Sequence, residues 1–436
     1  MSIIENSLTR EELSRVLLFG CLLATFYIYR RWSRLRHIPG PVLASVTNIP
    51  RLIWARSGRA HAIHIELHQK YGKFVRLGPN SVSICDPSAV SQIYGTSVGR
   101  FGKSDFYKTL QPMVGGRRVI GIFHAQDESL HRSLKRPIAG LYSMTSLLEF
   151  EPLVDSTIDA FLTRVEEVQK QVEPGHGVDL ATWLHWFAFD VIGEVTWSKR
   201  LGFLDEGKDV GQIPWLDLLL DKNPLLNYFA TKKIAPVAAF ALDQSRHRVA
   251  ATDRDNTRDF LSRFMAIQEK DRDVIPESYV TAWTVSNVLA GSDTTAITLR
   301  AIVYNLLMSP ESLRRLTEEL SLAKSQGMIS DIVSWAESRR LPYLDACIKE
   351  AGRLHPAAGL TLERVVPRDG AHVCGQYFPG GTIVGVNPWV MHRDPVVYGA
   401  DADRWNPERW LGEDAEQRAL MDRCLLTVRE KRNSKA

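Results

Sequence analysis

The sequence predicts a mainly helical protein with small β-sheets, an α+β arrangement, on three observations. Long stretches repeat apolar residues three and four apart. Short β-rich runs bounded by glycine and proline occur near the start and again near the end. No strand–helix–strand alternation links them, which argues against a parallel α/β sheet. The 436 residues, 44% apolar and 24% charged, suffice for a packed core. That length suits two or three domains or one large helical unit. A net charge of +4 is too small to point to nucleic acid. The five cysteines are widely spaced, odd in number and lack a C-x-x-C. They indicate neither a disulfide framework nor a zinc ribbon, and they fit a reducing compartment.

The elements follow in order. "VLLFGCLLATFYIY" (Val16 to Tyr29) is an uncharged apolar run. It is short for a spanning helix, where about 20 residues is normal and about 17 the low end. A signal-peptide core and a buried helix are the alternatives. Arg30, Arg31, Arg34, Arg36 and His37 follow at once, without a small-residue cleavage site. This flank favours a single-pass membrane anchor over residues 1–36, with the rest in the cytosol. "HIPGPV" (residues 37–42) is a stiff, extended hinge before the globular part, residues 43–427. "RAHAIHIELHQKYG" predicts a helix ending at Gly72. "KFVRLGPNSVSICDP" predicts a hairpin about a Gly78-Pro79-Asn80 turn. Helices are predicted over "LLEFEPLVDSTIDAFLTRVEEVQKQV", over "DLATWLHWFAFDVIGEVTWS", from near Pro276 to Met308, and over Leu341–Leu354. Strands return in "LTLERVVP", "HVCGQYFP" and "GTIVGVNP".

Four patches depart from plain packing. The helix around "VSNVLAGSDTTAITLRAIVYNLL" is apolar on much of its surface, yet its middle reads Ala290-Gly291-Ser292-Asp293-Thr294-Thr295. Glycine and threonine are poor helix formers, and a buried carboxylate needs partners. A threonine hydroxyl can bond the carbonyl one turn back, here that of Ala290. The patch reads as a groove with an acid and an alcohol aimed at a ligand, or as a solvent-facing polar patch. In "CIKEAGRLHP", Glu350 and Arg353 are three apart on one face, a pattern shared by ordinary surface ion pairs. In "RWNPERWLG", Arg409 has no obvious local partner except Glu408. In "DESLHRSLKRPIAGLYS", His131, Lys135 and Arg136 fall within about one and a half turns. They suit an anionic group or a solvated basic face. His61, His64 and His68 share a helix face, but no fourth ligand is evident and zinc is not expected.

In sequence, the anchor, "IPGPV", A-G-x-D-T-T, E-x-x-R, "LERVVP" and P-E-R-W resemble one family, the cytochrome P-450 haem-thiolate monooxygenases. The resemblance runs to about Thr427. "FAFDVIGEVTWSKRLGF" and "AGSDTT" look most like fungal members. The resemblance implies a haem cofactor, an NADPH-dependent reductase partner and a small organic substrate. It implies an endoplasmic reticulum location with a cytosolic globule, and a role in fungal secondary metabolism. Asp293 and Thr294 would deliver protons to dioxygen. His131, Lys135 and Arg364 would bind the haem propionates. Glu350, Arg353 and Arg409 would form a buried ion cluster.

One piece of the family pattern does not occur. The ligand loop, approximately F-x-x-G-x-R-x-C-x-G, is expected soon after P-E-R-W, and here Val428 and a charged run to residue 436 follow instead. Cys424, on a predicted helix without flanking glycines, reads as packed rather than as a metal ligand. The expectation is therefore a family member truncated before its axial cysteine, binding haem poorly. The alternatives are a haem-free, membrane-anchored partner protein or a non-functional relic.

Overall fold

The computed structural model describes residues 10–95, 101–111, 113–114, 117–173, 175–208, 242–243, 245–247 and 259–427. The charged run at 428–436 and the first nine residues lie outside them. The protein is mostly helical with small sheets, and it forms two compact units, each assembled from separated stretches of chain. The first takes the residues up to Gly102, Ala358–Ala402 and those from Ala419 on. The second takes Lys103–Ala357 and Asp403–Arg418.

In the first unit the predicted hairpin forms. Strands Phe74–Gly78 and Ser81–Ile84 pair antiparallel, with Val75 opposite Ser83. Ser81–Ile84, buried at every position, pairs on its other side with Ile383–Gly385 in parallel. Arg364–Val365 lies antiparallel to that third strand. A second hairpin joins Ala371–Val373 to Gln376–Phe378. Its turn residues Cys374 and Gly375 have φ of 51° and 79°, the left-handed pair that a tight two-residue hairpin requires. The helix predicted before Gly72 spans Ala60–Tyr71 and stops where Gly72 takes φ 88°. His64 and His68 turn inward from it and find separate partners. Asn387 Nδ2 lies 2.9 Å from His64 Nδ1. His68 bridges the Gly72 carbonyl at 2.9 Å and Ser83 Oγ at 2.8 Å.

The N-terminal helix spans Arg10–Ser33. No helix among the described residues is long and apolar enough to cross a membrane. The uncharged run Val16–Tyr29 extends about 21 Å at about 1.5 Å per residue, short of a hydrocarbon layer of about 30 Å. The rest of the helix carries charge. Its exit is fixed by Arg76, a buried arginine that donates to the carbonyls of Trp32 at 2.9 Å and Pro79 at 2.7 Å.

The second unit is built on helices Glu151–Gln171, Leu180–Trp197, Glu277–Met308 and Pro342–Leu354. Phe264 and Trp283 centre an aromatic core with Phe150 and Phe260. The Trp283 indole N–H donates to the Leu134 carbonyl at 3.0 Å, tying in helix Glu128–Lys135. Asp190 is wholly buried and accepts the backbone N–H groups of Leu201, Gly202, Phe203 and Leu204 within 2.8–3.3 Å. One carboxylate thereby holds the whole turn after helix Leu180–Trp197.

Candidate active site

The central helix Glu277–Met308 carries the first predicted site. Its sequence is rich in hydroxyls, and Thr284, Ser286, Ser292, Thr294 and Thr298 each donate to a carbonyl four residues back. These bonds compete with the helical ladder and loosen it locally. Thr294 Oγ1 donates to the Ala290 carbonyl at 2.5 Å, the bond anticipated from the sequence. Asp293 and Thr294 are both exposed, while Ser292 between turns is buried. Gly291 does not open a groove for a ligand. A Cβ there would meet Ile192 Cδ1 at 2.7 Å, so the glycine lets helix Leu180–Trp197 approach.

Asp293 has a partner that the sequence reading did not single out. His185, on helix Leu180–Trp197, places Nε2 3.2 Å from Asp293 Oδ1. The other ring nitrogen, Nδ1, lies 3.3 Å from a terminal nitrogen of Arg300. Arg300 is seven residues after Asp293, two helical turns on and on the same face. That spacing was the available signal.

The E-x-x-R helix Pro342–Leu354 carries the second site. Glu350 and Arg353 are completely buried and joined by two bonds, Nε to Oε2 at 2.8 Å and a terminal nitrogen to Oε1 at 2.7 Å. Arg409 adds Nε to Oε1 at 3.1 Å. Two unpredicted donors complete the carboxylate, the Asn406 N–H at 3.0 Å and the Trp410 indole at 2.9 Å. Pro407 starts the 3₁₀ turn that turns Arg409 and Trp410 inward. Glu408, the neighbour first considered for Arg409, pairs instead with Arg315. Glu319 caps the first turn of the same helix, accepting from Tyr343 and Leu344 N–H at 2.8 and 3.0 Å, where a carboxylate also suits the helix dipole.

His131 and Lys135 lie one turn apart on helix Glu128–Lys135. His131 Nδ1 is 3.7 Å from Glu128 Oε1. Burial, with Lys103 nearby, holds its pKa below the usual imidazole value. Lys135 is exposed. Arg364 belongs to the first unit. Its guanidinium lies over the Tyr94 ring, 5.1 Å from the centroid, and Tyr94 is pinned by bonds to Leu362 O and Val386 N. Arg364 and Arg423 share the lining of a cavity of about 650 Å³ with Tyr94, Leu420 and Leu426.

The cysteines are all free, and Cys85 lies close enough to Cys424 to feel its charge. Cys347 is buried against Leu306, Leu316 and Tyr343, and burial pushes its thiol up to about 12. Cys374 is likewise raised to about 12, and Cys85 is raised by burial and Asp394. Cys424 ends helix Ala415–Cys424 and is 1% exposed. Cys21 lies on the N-terminal helix.

Residues 39–423 match the family model described as Cytochrome P450. A cytochrome P450 monooxygenase of Aspergillus terreus is 46% identical, covering 98% of this chain and 91% of the relative. The Emericella nidulans cytochrome P450 monooxygenase cicH is 45% identical over 94% of this chain and 85% of its own length. A second protein of that organism, cytochrome P450 monooxygenase pkfB, is 42% identical over 92% and 82%. With a family match over most of its length and fungal relatives this similar, the chain belongs to the cytochrome P450 family of haem-thiolate monooxygenases.

Proposed function

We propose that this chain inserts one oxygen atom into a small organic substrate in fungal secondary-metabolite biosynthesis, drawing electrons from an NADPH-dependent reductase. In this reading Asp293 and Thr294 handle the protons. The observation that carries it is their exposed position side by side on the central helix, with Thr294 Oγ1 turned to the Ala290 carbonyl. The match to monooxygenases across the chain supports an enzyme over a haem-free partner protein.

Haem is the family's cofactor and supplies the metal at which dioxygen is activated. The acid and the alcohol on the central helix suit such a group. No axial donor is assigned among the cysteines of residues 1–436. The ligand-loop pattern does not occur there, and the raised thiols of Cys85, Cys347 and Cys374 are the reverse of a ready thiolate. Cys424 is packed in the first unit. No step is therefore taken through the iron.

The residues present can still be assigned work. Thr294 spends its proton on the Ala290 carbonyl, so its oxygen offers lone pairs to a water. Asp293, bonded to His185, can take a proton from solvent and pass it to that water as a general acid. His131 would offer a neutral hydrogen-bond donor and Lys135 a charge to a carboxylate group, and Arg364, by itself, a charge to another. Glu350, Arg353 and Arg409 brace the loop that follows Arg404. Leu17, Phe19, Leu22 and Phe26, each more than half exposed on the N-terminal helix, with the arginines after them, support association with an endoplasmic reticulum membrane.

The test measures product formed per NADPH consumed with reductase present. Asp293→Asn and Thr294→Ala should each lower that ratio by on the order of 10-fold or more, with released peroxide rising in proportion. An unchanged ratio in both variants would remove these residues from proton delivery.

A further inference from the structure

We propose that His185 and Arg300 are positioning residues for Asp293, Arg300 selecting one tautomer of His185 and His185 holding the carboxylate with a neutral N–H donor. The proposal rests on the reading of Asp293 as the proton-handling acid.

Arg300 is anchored first. Its Nε donates to the Ala181 carbonyl at 2.7 Å, in the first turn of helix Leu180–Trp197. Asp179, the N-cap of that helix, lies within the field of the same guanidinium. This leaves a terminal nitrogen of Arg300 facing His185 Nδ1 at 3.3 Å. A guanidinium has only donors, so Nδ1 must present its lone pair. The proton of the neutral ring then sits on Nε2, which points at Asp293 Oδ1, 3.2 Å away. Protonating Nδ1 would set N–H against N–H beside a fixed positive charge. Arg300 thus chooses the tautomer of the neutral ring.

The ring is held in this orientation by packing. It stacks on Phe189, one turn further along, with centroids 5.2 Å apart and planes 22° apart. The two helices are close because Gly291 accommodates Ile192.

In the tautomer that Arg300 selects, His185 orders Asp293 through an N–H bond from Nε2 to Oδ1.

Long-range ¹H–¹⁵N correlation spectra of the full chain, labelled at histidine, report the tautomer directly. The His185 ring in its neutral form should show protonated Nε2 and unprotonated Nδ1. Arg300→Met should produce a mixture of tautomers. A wild-type Nδ1–H tautomer, or a spectrum unmoved by Arg300→Met, would overturn the proposal. The second readout is product per NADPH. His185→Phe should lower it several-fold at unchanged KM, and His185→Gln, which restores an N–H donor, should recover much of the loss. If Asp293→Asn uncouples and His185→Phe does not, the positioning role falls while the acid stands. If Asp293→Asn leaves coupling intact, the acid reading falls and this proposal with it.

Discussion

Arg409 Nε reaches Oε1 of Glu350 at 3.1 Å, closing a contact across fifty-nine residues of chain. The carboxylate also accepts from Arg353, the Asn406 backbone and the Trp410 indole, so two guanidinium charges are buried against one acid. Removing that charge breaks buried ion pairs, a loss of about 3–5 kcal/mol. Glu350→Gln should therefore lower the urea-unfolding free energy by about that amount. Trp410→Phe, which deletes one bond to a charged group, should cost about 1.5–3 kcal/mol. A Glu350→Gln variant as stable as wild type would show that the cluster does not brace the fold.

The turn after helix Leu180–Trp197 depends on Asp190 and Gly193. Asp190→Ala would strand four N–H groups. A Cβ on Gly193 would meet the Lys199 carbonyl oxygen at 2.8 Å and Leu201 at 2.7 Å. Each change should cost roughly 1–3 kcal/mol, and hydrogen exchange at 198–204 should accelerate in both. Unaltered exchange there would discount the role given to Asp190.

Acid should destabilise the first unit through its buried imidazoles. Burial lowers His64 to about 3 and His68 to about 4 from an ordinary 6.5. Below pH 6.5 the unfolded chain binds protons that the folded chain refuses, so this stability is complete above 6.5 and is lost as pH falls toward 4. With both groups titrating, the slope approaches about 2.7 kcal/mol per pH unit. His68→Gln should roughly halve it. Unfolding curves of equal midpoint from pH 7 to 5 would contradict these shifts.

Arg76 fastens the exit of the N-terminal helix to the strand turn. Arg76→Leu should leave those carbonyls unpaired and speed tryptic cleavage at Arg34 or Arg36 several-fold. Cleavage at the wild-type rate would mean that the tether is held by other contacts, such as Arg34 to the Gly380 carbonyl at 2.9 Å.

Local chemistry made several elements legible beforehand. Gly72 and the Gly78-Pro79-Asn80 turn announced their helix end and hairpin, because backbone preferences act within a few residues. The Thr294 bond to Ala290 needed only a helix and a hydroxyl. The N-terminal segment was less secure. Its arginine flank suggests a spanning anchor, while its uncharged run is shorter than the usual span.

By itself, the sequence determined the helical α+β class, the order of the motifs and the family that order resembles. It placed Glu350 three residues before Arg353 and Asp293 seven before Arg300. Only the tertiary structure decided what these residues meet. Arg409 lost Glu408 to Arg315 and reached Glu350, Gly291 served helix approach, and His185 came to Asp293 from another helix. The reason is physical. Propensity and capping operate along the chain, whereas a buried charge takes the partner that packing brings within bonding distance, and that partner has no fixed spacing in sequence.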